Sequence, residues 1–83
     1  MAEVEITPAA LAQFEKVPLQ VQKRIRDVFQ RLSRWPVVSG AKPLRGELAG
    51  SFRIRTGDYR IVFRVRGDLV TVWKIGDRRD VYD

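Results

Sequence analysis

The chain predicts a small α+β fold of order β-α-α-β-β-β, an antiparallel sheet with two N-terminal helices packed on one face. Three observations predict it. Three runs in the C-terminal half alternate apolar and polar residues with period two. A stretch from Pro18 to Trp35 repeats its apolar residues at helical spacing. Two Gly-Asp pairs separate the alternating runs and suit tight antiparallel turns. At 83 residues the chain is read as a single domain, residues 1–83.

Each element follows from local chemistry. Glu3-Val-Glu-Ile-Thr7 alternates and reads as a first strand. Thr7 before Pro8 is a helix start: a hydroxyl cap, then a proline whose missing N–H costs nothing there. A short helix is expected from Pro8 to about Lys16, and Pro18 opens a longer one. Val21, Ile25, Val28, Phe29, Leu32 and Trp35 form one stripe along this second helix. Gln22, Lys23, Arg26, Gln30, Arg31 and Arg34 fall away from the stripe and are expected in solvent. Trp35-Pro36 ends the helix, because a residue before proline disfavours the helical region. Residues 36–50 are a connection punctuated by Gly40, Pro43, Gly46 and Gly50.

The remaining runs are Ser51-Phe-Arg-Ile-Arg-Thr56, Tyr59-Arg-Ile-Val-Phe-Arg-Val-Arg66 and Leu69-Val-Thr-Val-Trp-Lys-Ile75. Successive strand side chains point to opposite faces. Phe52, Ile54, Tyr59, Ile61, Phe63 and Val65 therefore make an oily side. Arg53, Arg55, Arg60, Val62, Arg64 and Arg66 make the other. Helices are expected to cover the oily side, leaving the arginine side free or covered by whatever binds it. Trp35 and Trp73 read as core and boundary packing. Tyr59 stands evenly between core and function, and Asp58 and Asp68 read as turn residues.

Charge points to a polyanion. The chain holds 16 Lys/Arg against 10 Asp/Glu, a net charge of +6. Residues 42–83 carry +4 of this, so the excess sits mainly with the sheet. Arginine grips phosphate through a rigid fork of donors and also stacks on bases. No apolar run approaches the roughly 20 residues of a membrane span, and the Met-Ala-Glu-Val-Glu start lacks a secretory pattern. Zero cysteines exclude disulfides and thiolate metal sites. A cytoplasmic location is expected, with no metal and no cofactor.

Lys42-Pro-Leu-Arg-Gly-Glu-Leu-Ala-Gly50, Phe52-Arg-Ile-Arg55, Gly57-Asp-Tyr-Arg60 and Ile75-Gly-Asp-Arg-Arg-Asp-Val-Tyr82 together resemble the RelE/ParE toxin superfamily, on its RelE side. The likeness spans nearly the whole chain, because length and element order agree as well. It implies the RelE-like fold and the toxin of a type II toxin–antitoxin system. It further implies a metal-independent endoribonuclease that enters the ribosomal A site, cuts messenger RNA and inhibits translation. Its implied partners are a cognate RelB-like antitoxin, in a toxin–antitoxin hetero-oligomer, together with the ribosome and mRNA, and no membrane. The alternative within the superfamily is a ParE-like toxin that inhibits DNA gyrase without RNA chemistry.

By position the resemblance implies five catalytic residues. Arg53 and Arg55 match two basic residues that contact RNA and assist the 2′-hydroxyl. Arg60 matches the arginine that stabilises the phosphate. Arg78 or Arg79 lies near the proposed acid, and Tyr82 matches the tyrosine that stacks on or orients the substrate base. Lys42, Arg45, Arg64, Lys74 and Arg79 are candidate RNA contacts. Arg64 and Arg66 are otherwise solvated or paired rather than catalytic. Lys42, Arg45 and Glu47 either meet ribosomal RNA or are simply solvated.

Two departures from the family bear on mechanism. Relatives place lysines at the positions of Arg53 and Arg55, and arginine is a poor base because it stays protonated. Many relatives read Gly-His-Arg where this chain reads Gly76-Asp77-Arg78, and the chain has no histidine at all. The expected contribution of the arginines is therefore electrostatic, and the general base is left open. Neighbouring arginines should lower the pKa of Asp77, which argues against that role for it.

Overall fold

The Thr7 hydroxyl accepts from the Ala10 backbone N–H at 3.1 Å, so the first helix starts where the cap and Pro8 place it. The computed structural model describes residues 2–77. Strand β1 spans Glu3–Ile6, helix α1 Pro8–Glu15 and helix α2 Leu19–Leu32. Then come a two-residue strand β2 (Lys42–Pro43), a 3-10 turn at Gly46–Leu48, and strands β3 (Ser51–Thr56), β4 (Tyr59–Arg66) and β5 (Leu69–Asp77). The α+β order expected from the sequence is present. Arg78, Arg79 and Tyr82 lie outside the described residues.

The sheet runs β1-β5-β4-β3-β2. It is mixed rather than wholly antiparallel, because β1 pairs with β5 in parallel, from Glu3 opposite Leu69 to Ile6 opposite Val72. The two helices between β1 and the rest act as the crossover that a parallel neighbour requires. Proline and the Thr7 cap end β1 early, so the edge of β5 beyond Val72 lacks a strand partner on that side. Helix α1 fills part of the gap: the Ile75 N–H donates to Gln13 Oε1 at 2.7 Å. The β3–β4 and β4–β5 turns place Gly57 and Gly67 at φ 60°, a conformation only glycine adopts cheaply.

The amphipathic stripe of α2 lands on the sheet as its spacing requires. Ile25, Val28 and Leu32 are buried with Ile54, Ile61, Phe63, Val70, Val72 and Ile75. Trp35 closes one end of this core, 4.9 Å from the Phe52 ring and 5.5 Å from Phe63, at the tilted angles aromatic pairs prefer. Gln22 Nε2 donates to the Phe14 and Val17 carbonyls and ties the two helices together. Arg31 donates to the Ser39 carbonyl at 2.8 Å and pins the long connection to α2.

Candidate functional site

The face turned away from the helices is not bare. Leu44 from the connection is 6% exposed and packs with fully buried Val62; Leu48 and Trp73 lean on the pair. The expectation of a free arginine face is thereby corrected. Strand β2 extends the sheet edge, and from Leu44 to Leu48 the chain lies against this side, anchored where the Leu44 N–H donates to the Ser51 carbonyl at 2.9 Å. Val62, the one apolar residue among the arginines of its face, is what the connection packs against. A second, smaller core lies under the site and sets its floor.

Strand register brings the predicted residues together. Arg55 lies directly opposite Arg60, and Lys42 opposite Arg53. Directly opposed strand residues have Cβ atoms about 4.5–5.5 Å apart, and like charges so placed repel. Four cationic residues thus share two adjacent cross-strand rows. Arg53 and Arg60 are only 7% and 8% exposed, whereas Arg55 and Lys42 are exposed. Arg53, Arg55, Arg60 and Asp77 each engage neighbouring groups. Guanidinium charge held partly out of water acts through a lower effective dielectric than a solvated one, so its pull on an anion is stronger.

Lys74 belongs to this face too, opposite Val62, and is half-buried. Arg64 lies exposed one row along, opposite Ser51 on one side and Thr71 on the other. Arg45 is exposed on the connection, outside these rows. Asp77 falls elsewhere: it pairs with Tyr59, and alternation puts that row on the helix-covered side, while Gly76 takes the place opposite Arg60. No carboxylate base comes from this position on the arginine face.

Lys74 was a candidate RNA contact; Trp73 and Ser51 were not anticipated at the site. The register of β4 and β5 slips between Val62 and Phe63, so that Trp73 is an extra residue of β5. Alternation leaves Trp73 on the arginine side, and the bulge brings Lys74 there as well. Trp73 Nε1 donates to the hydroxyl of Ser51 at 3.2 Å, and Ser51 is 3% exposed. The Arg64 guanidinium carbon sits 6.0 Å from the Trp73 ring centroid. The spacing in the sequence carries the signal. Val70, Val72 and Ile75 step by two and then three, and strict alternation would instead bury Lys74.

Residues 4–82 match the family described as ParE toxin of type II toxin–antitoxin system. Toxin RelG of Mycobacterium tuberculosis is 37% identical over 82 residues, covering 95% of this chain and 93% of RelG. The chain belongs to the RelE/ParE toxin superfamily. Like other members of this superfamily, it is the toxin type of a type II toxin–antitoxin system. Among solved structures, the RelBE2 toxin–antitoxin complex of Mycobacterium tuberculosis is similar at 31% identity and a TM-score of 0.82, over 93% of this chain and 98% of that one. The isolated RelE toxin of E. coli is similar at a TM-score of 0.77 and 20% identity, over 93% of this chain and 84% of that one, a likeness of fold. Both RelE and ParE therefore appear among its likenesses, and the superfamily alone does not choose between their activities.

Proposed function

We propose that this toxin is a ribosome-dependent endoribonuclease that cuts messenger RNA in the A site and is restrained by a RelB-like antitoxin in a hetero-oligomer. The observation that carries the reading is the pair of adjacent cross-strand rows holding Lys42, Arg53, Arg55 and Arg60 on one face. Cations gathered in adjacent rows raise the positive potential of one face, which favours a polyanionic ligand. RNA is the polyanion whose chemistry such a cluster also serves.

In metal-free cleavage the 2′-oxygen attacks the adjacent phosphorus, the bond to the 5′-oxygen breaks, and a 2′,3′-cyclic phosphate and a 5′-hydroxyl result. Negative charge builds on the phosphoryl oxygens along the way. Arg60, nearly buried and next to exposed Arg55, is the residue to hold those oxygens. Arg53 fixes the phosphate from the neighbouring row. None of the three takes the 2′-hydroxyl proton, since guanidinium stays protonated; that step belongs to another group. By resemblance, Arg78 is assigned to the leaving 5′-oxygen and Tyr82 to the base. Lys42, Arg45, Lys74 and Arg79 are assigned to holding the RNA backbone. The antitoxin segment that covers this face should be acidic.

The family description as a ParE toxin supports a second reading, inhibition of DNA gyrase. Cell-free translation with purified protein, with mRNA ends mapped by primer extension, decides between them. New ends within codons, formed only when ribosomes are present, are the expected result. Intact mRNA with continuing translation would transfer the assignment to gyrase, whose supercoiling activity is then assayed directly.

A further inference from the structure

We infer that Trp73 is a nucleobase-stacking platform for single-stranded RNA on the arginine face, with Arg64 as its resident cover. The inference rests on the RNA-directed reading above and adds a site to it. Two indoles are present, and they sit on opposite sides of the sheet. Trp35 is locked between Phe52 and Phe63 in the helix-side core. Trp73 lies on the arginine side, half-buried, and the β5 bulge brings Lys74 to the same side next to it. Packing alone does not account for its setting. The ring edge is fixed by the hydrogen bond to buried Ser51, which holds the plane at a defined angle. The ring packs against the Leu44–Val62 cluster. The Arg64 guanidinium, on an exposed residue, lies over the ring 6.0 Å from its centroid.

An oriented aromatic ring beside cationic side chains is the arrangement that single-strand binders use, bases stacking while cations follow the backbone. The exchange on binding is favourable in kind. Arg64 gives up a cation–π contact at an exposed site, the weaker interaction. A base gains a stacked ring, the stronger one. Arg64 is then released to a phosphate, where its donor fork is better matched. Every base has a π-face, so the platform adds affinity with little sequence preference.

Intrinsic tryptophan emission tests this directly. The full-length protein is titrated at low salt with a short 2′-O-methyl single-stranded RNA, and separately with inorganic polyphosphate. Affinity is read independently from the anisotropy of a labelled RNA. The expected result is strong quenching by RNA and little by polyphosphate. In Trp73→Phe, where only Trp35 still emits, the quenching should vanish while affinity falls about 3-fold. In Trp73→Leu affinity should fall about 10-fold or more, the scale of one missing stack. If Trp73→Leu does not fold, the wild-type emission decides alone. RNA binding that leaves wild-type emission unchanged overturns the platform and spares the nuclease reading. Absence of RNA binding by the wild-type protein overturns the platform, and the cell-free translation assay then decides the nuclease reading separately.

Discussion

On the helix-covered side of the sheet, ten of the described residues form a continuous buried core, from Ala10 to Ile75. On the other side, among the described residues, only Leu44 and Val62 are buried in an apolar cluster, with buried Arg53 directly opposite Val62. Alternate residues of the same strands supply the two faces. One face is organised to bury apolar area, at roughly 25 cal/mol for each Å² removed from water. The other gathers cationic residues in register. An 83-residue chain has little stability to spare. The small Leu44–Val62 cluster is therefore informative. It packs the connection against the arginine side while Arg55 and Lys42 stay exposed.

The comparison is tested most severely at Phe63, fully buried and in aromatic contact with Trp35 and Phe52. Phe63→Ala should cost about 3–5 kcal/mol, enough to unfold much of the population. A urea titration followed by circular dichroism reads the loss. A cost near 1 kcal/mol would show that the helix-side core is not the main source of stability.

Arg60→Ala is the matching change on the other face. It should lower ribosome-dependent cleavage by about 10²–10³-fold, the cost of one donor to a developing oxyanion. Its loss of unfolding free energy should stay below that of Phe63→Ala. Relief of growth arrest in cells and the cell-free assay report the first effect, and the same urea titration reports the second. Full activity would remove Arg60 from the phosphate. A collapse of stability as large as that of Phe63→Ala would erase the distinction between the faces.

Much of this division was legible beforehand, and the exceptions are physical. Alternation in residues 51–66 assigned Ile54, Ile61 and Phe63 to one side and Arg53, Arg55 and Arg60 to the other, because a strand leaves no third choice. The α2 stripe and the Thr7 cap were equally local and equally clear. What escaped was non-local. Nothing within β1 says that it runs parallel to β5, since that depends on where the helices return the chain. The cluster of Leu44 and Leu48 on Val62 depends on a connection that reads as loop in isolation. The bulge at Trp73 was present as a change of step between Val72 and Ile75, yet its consequence needed the register against Val62. Arg78, Arg79 and Tyr82, assigned by resemblance, lie outside the described residues.

Val62→Ala probes the small cluster itself. With about 0.8 kcal/mol per buried CH2, the loss should be about 1.6 kcal/mol. That is well below Phe63→Ala, though Val62 is just as buried. The functional loss should be disproportionate, because a loosened floor lets Leu44 and Trp73 shift and disperses the guanidiniums above them. Cleavage rates measured well below the unfolding midpoint separate the two effects. Loss of activity that merely followed the unfolded fraction would make the cluster ordinary core.

The smallest expected effect has the opposite sign, and it bears most directly on why the faces differ. Lys42 is exposed on the short edge strand, directly opposite Arg53. Lys42→Gln removes one of two opposed cations and keeps most of the side chain. It should raise stability by about 0.2–1 kcal/mol at low salt. The gain should shrink toward zero at 1 M salt, where the Debye length falls to about 3 Å. RNA affinity should fall as well. The slope of log affinity against log salt should flatten by about 0.7, since one phosphate is no longer neutralised. A more stable protein that binds RNA less well would show that the arginine face is held at a cost to the fold and serves its ligand. Unchanged RNA binding would confine the contact surface to β3 and β4, and a stability loss would mean that Lys42 holds the edge strand in place.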